Sequence, residues 1–187
     1  LVRNPITIRA LVAIFAAAPI FGFAHGWGSK YLHHAFGVSQ AAAGGYLWLP
    51  PLAFDLGAIA FGDLAARQRR PEGAPPRLLV AISMPLAACL GGLPQATTPW
   101  EGTALIAVAM VGGGGMYTLV TADMLSRMPA ESVSFAGGIL AGAQSLALII
   151  MNPLVGAAVD RYGSYDVPTL ALGLWALPGA LIWLLWR

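Results

Sequence analysis

The chain is patterned in long apolar runs separated by short polar breaks. The runs cover residues 10–31, 41–66, 78–93, 102–124, 133–159 and 169–186. An α-helix of about 20 residues rises about 30 Å, the depth of a bilayer's hydrocarbon core. Barrel strands would alternate apolar and polar residues over about ten positions. These runs are continuous and mostly longer, so the pattern predicts helices, whose backbone groups bond internally where no water reaches. The predicted fold is therefore an all-α integral membrane domain with six transmembrane helices over residues 1–187. Pro19 is expected to kink the first helix. Residues 30–40, which carry His33 and His34, are expected to form a polar loop.

Composition agrees. Hydrophobic residues make up 58% and charged residues 10% of the chain, where a soluble domain is about a quarter charged. Basic loops are retained on the cytoplasmic side. With both ends inside, Arg3, Arg9, Arg67, Arg69, Arg70, Arg77, Arg127 and Arg187 are cytoplasmic, and only Lys30 and Arg161 fall outside. The opposite orientation inverts that bias. The loop at 67–77 is thus expected to be cytoplasmic, in a multi-pass protein of the inner (plasma) membrane. A basic start before an apolar run also describes a signal peptide, but five more spans follow and the first fits their topology. The net charge of +2 reflects loop arginines, and no basic tract points to nucleic acid. The single Cys89 reads as a small packed residue.

Two span ends echo each other. The second ends Gly62-Asp63 and then Arg67; the fifth ends Gly156, then Asp160-Arg161 and Gly163. One end lies inside and the other outside. Two inverted three-helix repeats, a plan common in transporters, would produce this pattern. Asp63, Arg67, Arg69, Arg70, Asp160 and Arg161 are candidate gating-loop charges.

Polar residues inside the runs are the candidate chemistry. Asp55 sits mid-run, where a carboxylate costs roughly 2.5–3.5 kcal/mol on insertion scales. It serves in coupling or as a structural hydrogen bond between helices. Asp123 reads either as a coupling charge or as a partner of Arg127 one turn on. His25, Trp27 and Trp48 lie toward the outer side, as substrate contacts or as an interfacial aromatic belt. Gln144 and Asn152 are eight residues apart, near one helical face. Each amide needs a partner, a substrate or another helix. Gly112 to Gly115, with Gly137, Gly138 and Gly142, are expected to permit close helix packing. No CxxC, HExxH, GxSxG or GxxxxGK[ST] pattern occurs, so neither an enzyme nor a metal or cofactor site is expected.

The chain resembles the C-terminal half of a major facilitator superfamily transporter. It is most similar to the anion:cation symporter family of the hexuronate and galactonate type. The resemblance lies in Trp48-Leu49-Pro50-Pro51, Asp55-Leu56-Gly57, Gly62 and the arginines after it. It continues in Ala122-Asp123 with Pro129, Gly137-Gly138, Pro153-Leu154-Val155-Gly156 and Asp160-Arg161-Tyr162-Gly163-Ser164-Tyr165. The family's tenth-helix aromatic-to-asparagine pattern is replaced here by the glycine run and Tyr117.

The resemblance implies half of a rocker-switch carrier, with an N-terminal six-helix half as its partner. It also implies a small organic anion, such as a sugar acid, moved by proton symport. The opening at Leu1 on a basic segment fits a fragment of a longer transporter. Candidate substrate contacts are His25, Trp27, Trp48, Tyr117, Thr121, Gln144 and Asn152, with Asp55 and Asp123 as coupling or structural charges. The alternative is a six-helix membrane subunit or scaffold that transports nothing.

Overall fold

A computed structural model describes residues 4–68, 74 and 76–185. The described residues form helices and connections, with no strand among them. The long elements are α1 (Pro5–Gly26), α4 (Leu49–Arg67), α5 (Arg77–Ala88), α6 (Pro99–Leu125), α7 (Val133–Tyr162) and α8 (Asp166–Leu185). Two short helices, α2 (Gly28–Phe36) and α3 (Gln40–Leu47), lie between α1 and α4. With α3 extending α4, and a 3₁₀ turn at Cys89–Gln95 extending α5, six helical stretches are long and apolar enough to cross a membrane.

Local sequence explains the ends. Asn4 accepts a bond from the Ile6 amide, and Pro5 stands at the first helical position, where it is tolerated. The first helix thus begins five residues before its apolar run, and Arg9 lies inside it. α1 continues as a helix through Pro19 and stops at Gly26. Residues 30–40 are not an open loop. Most of them form α2, which buries Tyr31 and Leu32 and exposes His33 and His34, and which ends at Gly37 with φ 68°. Only glycine enters that left-handed region readily. The chain breaks again at Trp48, before Pro50 and Pro51, which cannot donate backbone hydrogen bonds. Thr98 and Glu101 cap α6 reciprocally.

Contacts fix the direction of each span. Phe15 meets Trp175 and Arg9 meets Trp183, so α1 and α8 are antiparallel. Gly22 lies against Leu148 and Trp27 against Asn152, so α1 and α7 are parallel. Gly57 abuts Val111 and Gly62 abuts Thr118, so α4 and α6 are parallel. Gly102 lies against Tyr31 and Gly113 against Ile20, which sets α6 antiparallel to α1. Gly112 meets Ala87 and Gly92 meets Leu105, so α5 and its extension oppose α6. The six spans therefore alternate in direction.

α1 and α6 form the centre. In each, 67% of the most apolar stretch is buried, against 22% for Gln40–Arg67 and 17% for Ala130–Tyr162. α1 packs on α6, α7 and α8, and α6 packs on α1, α4 and α5. The glycines of α6 make its contacts possible. A side chain on Gly112 would enter the α5 backbone at Ser83–Ala87, and one on Gly114 would enter the α4 backbone at Phe54. Gly137, Gly138 and Gly142 behave otherwise: added β-carbons there would meet nothing among the described residues. Within this bundle they do not serve close packing, because α7 turns that face outward.

Gly114→Val should cost about 1–3 kcal/mol, as overpacking does. Gly138→Ala should be neutral or gain about 0.5–1 kcal/mol from reduced chain entropy. Thermal unfolding of the detergent-solubilised chain, followed by circular dichroism, checks both.

Candidate functional site

Four helices, α1, α4, α6 and α7, meet around a small space lined by Ala17, Phe21, Phe54, Gly113, Tyr117 and Gln144 among others. Its volume is about 10 Å³, enough for about one water molecule. An aromatic row runs along it. His25 stacks on Phe21 at 4.0 Å, Phe21 meets Phe54 edge-on at 5.4 Å, and Phe54 lies 6.3 Å from Tyr117. His25 Nδ1 is 3.0 Å from the Phe21 carbonyl, so this nitrogen carries a proton if it bonds there. Thr121 lies one turn beyond Tyr117 on the same face of α6. Its hydroxyl is buried with no partner among the described residues.

Trp27 and Asn152 form a second group at the end of α1. The indole donates to Asn152 Oδ1 at 2.9 Å, linking α1 to α7. The Trp27 ring faces Gly156 and carries the Lys30 ammonium 4.4 Å above it. Next to it, Tyr165 touches Phe23, Trp27, Tyr31 and His34. His34 Nε2 approaches the Gly163 carbonyl at 3.0 Å. Burial pushes the Tyr31 phenol up to about 12 and raises that of Tyr165. These groups fasten α1 and α2 to the α7–α8 turn.

Of the expected substrate contacts, the structure places Tyr117 and Gln144 on the four-helix space, with exposed His25 stacked on its lining residue Phe21 and Thr121 one turn beyond Tyr117. Trp27 and Asn152 stand together but bond to each other. Trp48 has no hydrogen bond or ring contact with either group among the described residues: it is 55% exposed and donates to the Gly45 carbonyl of α3.

The charges divide similarly. Asp123 pairs with Arg127 at 2.7 Å and is nearly buried. Asp63 and Arg67 form an exposed pair at 2.8 Å, of a kind worth little stability. Asp160 and Arg161 are exposed. Arg69 and Arg70 lie outside the described residues. Asp55 is exposed, with no hydrogen bond or ion pair among the described residues. Its neighbours Leu52, Leu56 and Ile59 are exposed too, Ile59 at 68%.

One buried charge escaped the sequence reading, which placed Arg9 just before the first apolar run. Arg9 is 8% exposed, its Nε donates to the Trp183 carbonyl at 3.0 Å, and its guanidinium lies 3.9 Å from the Trp183 ring. That carbonyl lies in the last described turn of α8. The signal was present in Asn4-Pro5, a helix start that puts Arg9 one turn inside.

Compared with known proteins, the chain matches no family model, and no curated protein shows detectable sequence similarity to it. What is established is an all-helical chain whose described residues include six helices able to cross a membrane, compatible with a multi-pass membrane protein.

In a double-mutant cycle, Trp27→Phe and Asn152→Leu should couple by about 0.5–1.5 kcal/mol, the net worth of one hydrogen bond. Alkaline titration should show one tyrosine ionising near pH 12 and missing in Tyr31→Phe. The phenol's pKa is raised by folding, so its contribution to stability is complete below pH 10 and lost as pH rises from 10 to 12. Tyrosinate absorbance and unfolding midpoints measure the two effects.

Proposed function

We propose that this chain is one half of a secondary transporter of the major facilitator type, built as two inverted three-helix repeats. The observation that carries the reading is the packing pattern. Take α1, α4 and α5 as one triplet and α6, α7 and α8 as the other. Corresponding helices then run in opposite directions. The leading helix of each triplet packs on the second and third helices of the other: α1 on α7 and α8, and α6 on α4 and α5. Leading helix also meets leading helix, and third meets third. An axis in the membrane plane relating the two triplets accounts for every one of these contacts.

The second helices, α4 and α7, are left largely uncovered. Asp55 on α4 supports a further body there, because a carboxylate does not face lipid unpaired. In this reading the body is an N-terminal six-helix half, and the solute lies between the two halves. His25, Tyr117, Thr121 and Gln144 form this half's wall, and Trp27 with Asn152 closes its outer end. The solute is a small organic anion such as a sugar acid, moved with a proton by alternating access across the inner (plasma) membrane, with both chain ends cytoplasmic. No catalysis, metal, cofactor or nucleic acid enters this mechanism.

A second reading, a six-helix subunit or scaffold without transport, draws on the small volume between the four helices. A space of about 10 Å³ admits no solute. A carrier must therefore seat its cargo against the partner half, outside this wall.

Uptake of labelled hexuronates and hexonates into cells expressing the complete reading frame tests the proposal. Uptake should acidify the cytoplasm, as read by a pH-sensitive fluorescent protein. Gln144→Ala should raise KM about 10- to 100-fold, the cost of a lost hydrogen bond to a charged group. Absence of uptake with the protein in the membrane favours the scaffold, and uptake without acidification removes proton coupling.

A further inference from the structure

A long apolar cleft lies away from the four-helix wall, between α7 and α8, with α1 as its floor. Two adjoining cavities, of about 390 Å³ and 260 Å³, share Phe15 and Trp175, whose rings meet edge-on at 6.5 Å. Every lining residue is apolar, including Leu146, Ile150, Leu154 and Ile182. α7 and α8 touch each other little, and both rest on α1. From Pro168 to Ile182 the cleft follows α8 for about 21 Å, against a hydrocarbon core of about 30 Å. It is therefore filled from within the bilayer.

One basic residue, Arg161, stands beyond the end of this cleft. Arg161 follows Ile150 by eleven residues and Leu154 by seven, which places it on the same face of α7. It lies about 10 Å beyond Leu154 along the axis. It is exposed, 5.6 Å from the Tyr162 ring, and makes no ion pair among the described residues. Exposed Asp160 precedes it in the chain, and exposed Asp166 opens α8. An apolar slot ending in a cation matches an acyl chain ending in a phosphodiester. A further helix is a poorer match, because it is 10–12 Å across with its side chains.

We propose that the α7–α8 cleft is a phospholipid site, with one acyl chain along Leu146, Ile150 and Leu154 and its phosphodiester on Arg161. This requires only that the chain resides in a bilayer and is independent of transport.

The test is native mass spectrometry of the full chain released from detergent with added palmitoyl-oleoyl phosphatidylglycerol. Arg161→Ala should weaken the lipid adduct roughly five- to tenfold, about one basic residue's attraction to an anionic headgroup. Arg77→Ala should leave it unchanged. Ala171→Trp, at an exposed position that lines the cleft, should abolish it while circular dichroism stays unchanged. A diazirine-bearing acyl chain on the same lipid should label the unmutated chain within residues 146–155 and at Trp175. The proposal is overturned by an adduct indifferent to both Arg161→Ala and Ala171→Trp. Labelling confined to other helices, or loss of a dimer rather than of lipid in Ala171→Trp, overturns it equally.

Discussion

The bundle depends on the backbone of α6 touching two other backbones at once. Gly112 lies against α5 and Gly114 against α4, on different sides of one helix. In lipid there is little hydrophobic gain from bringing helices together, so van der Waals contact must hold them, and it grows as the axes approach. Successive glycines clear more than one side of a helix, which a single small-residue stripe does not. α6 can then carry α4, α5 and α1 simultaneously, and the alternating arrangement of the spans follows. The run costs helix propensity at every position. Packing recovers that loss only if all the neighbours are in place.

The number of helices and their class were legible because hydrocarbon thickness sets a length that composition reveals directly. The ends were less so. Apolar content marks where a helix enters lipid, whereas capping marks where it starts, and the two differ by five residues at Pro5. The segment 30–40 looked like a loop because its charges and histidines dominate its composition. It folds as a helix because Tyr31 and Leu32 find an aromatic neighbourhood that comes from Tyr165, far along the chain.

The candidate site was partly legible for a related reason. Gln144 and Tyr117 stood out as polar groups in apolar runs, and they line the same space. Phe21 and Phe54, which join them to His25, looked like any other apolar residue, since an aromatic row exists only after three helices are assembled. Trp48 stood out equally but is exposed and makes no bond or ring contact with them, because residue type carries no information about which side of a helix faces a neighbour. The two sets of glycines make the same point: those of α6 are filled by partners, and those of α7 face open space.

Arg9 and Trp183 are 174 positions apart. α1 is synthesised long before α8, so the Arg9 guanidinium exists before its Trp183 partner does. Until α8 arrives, α1 must leave that group at the interface or share it with water. Insertion of α8 then draws it inward onto the last described turn of that helix. α1 and α8 thereby act as a clasp that shuts only when both are in place.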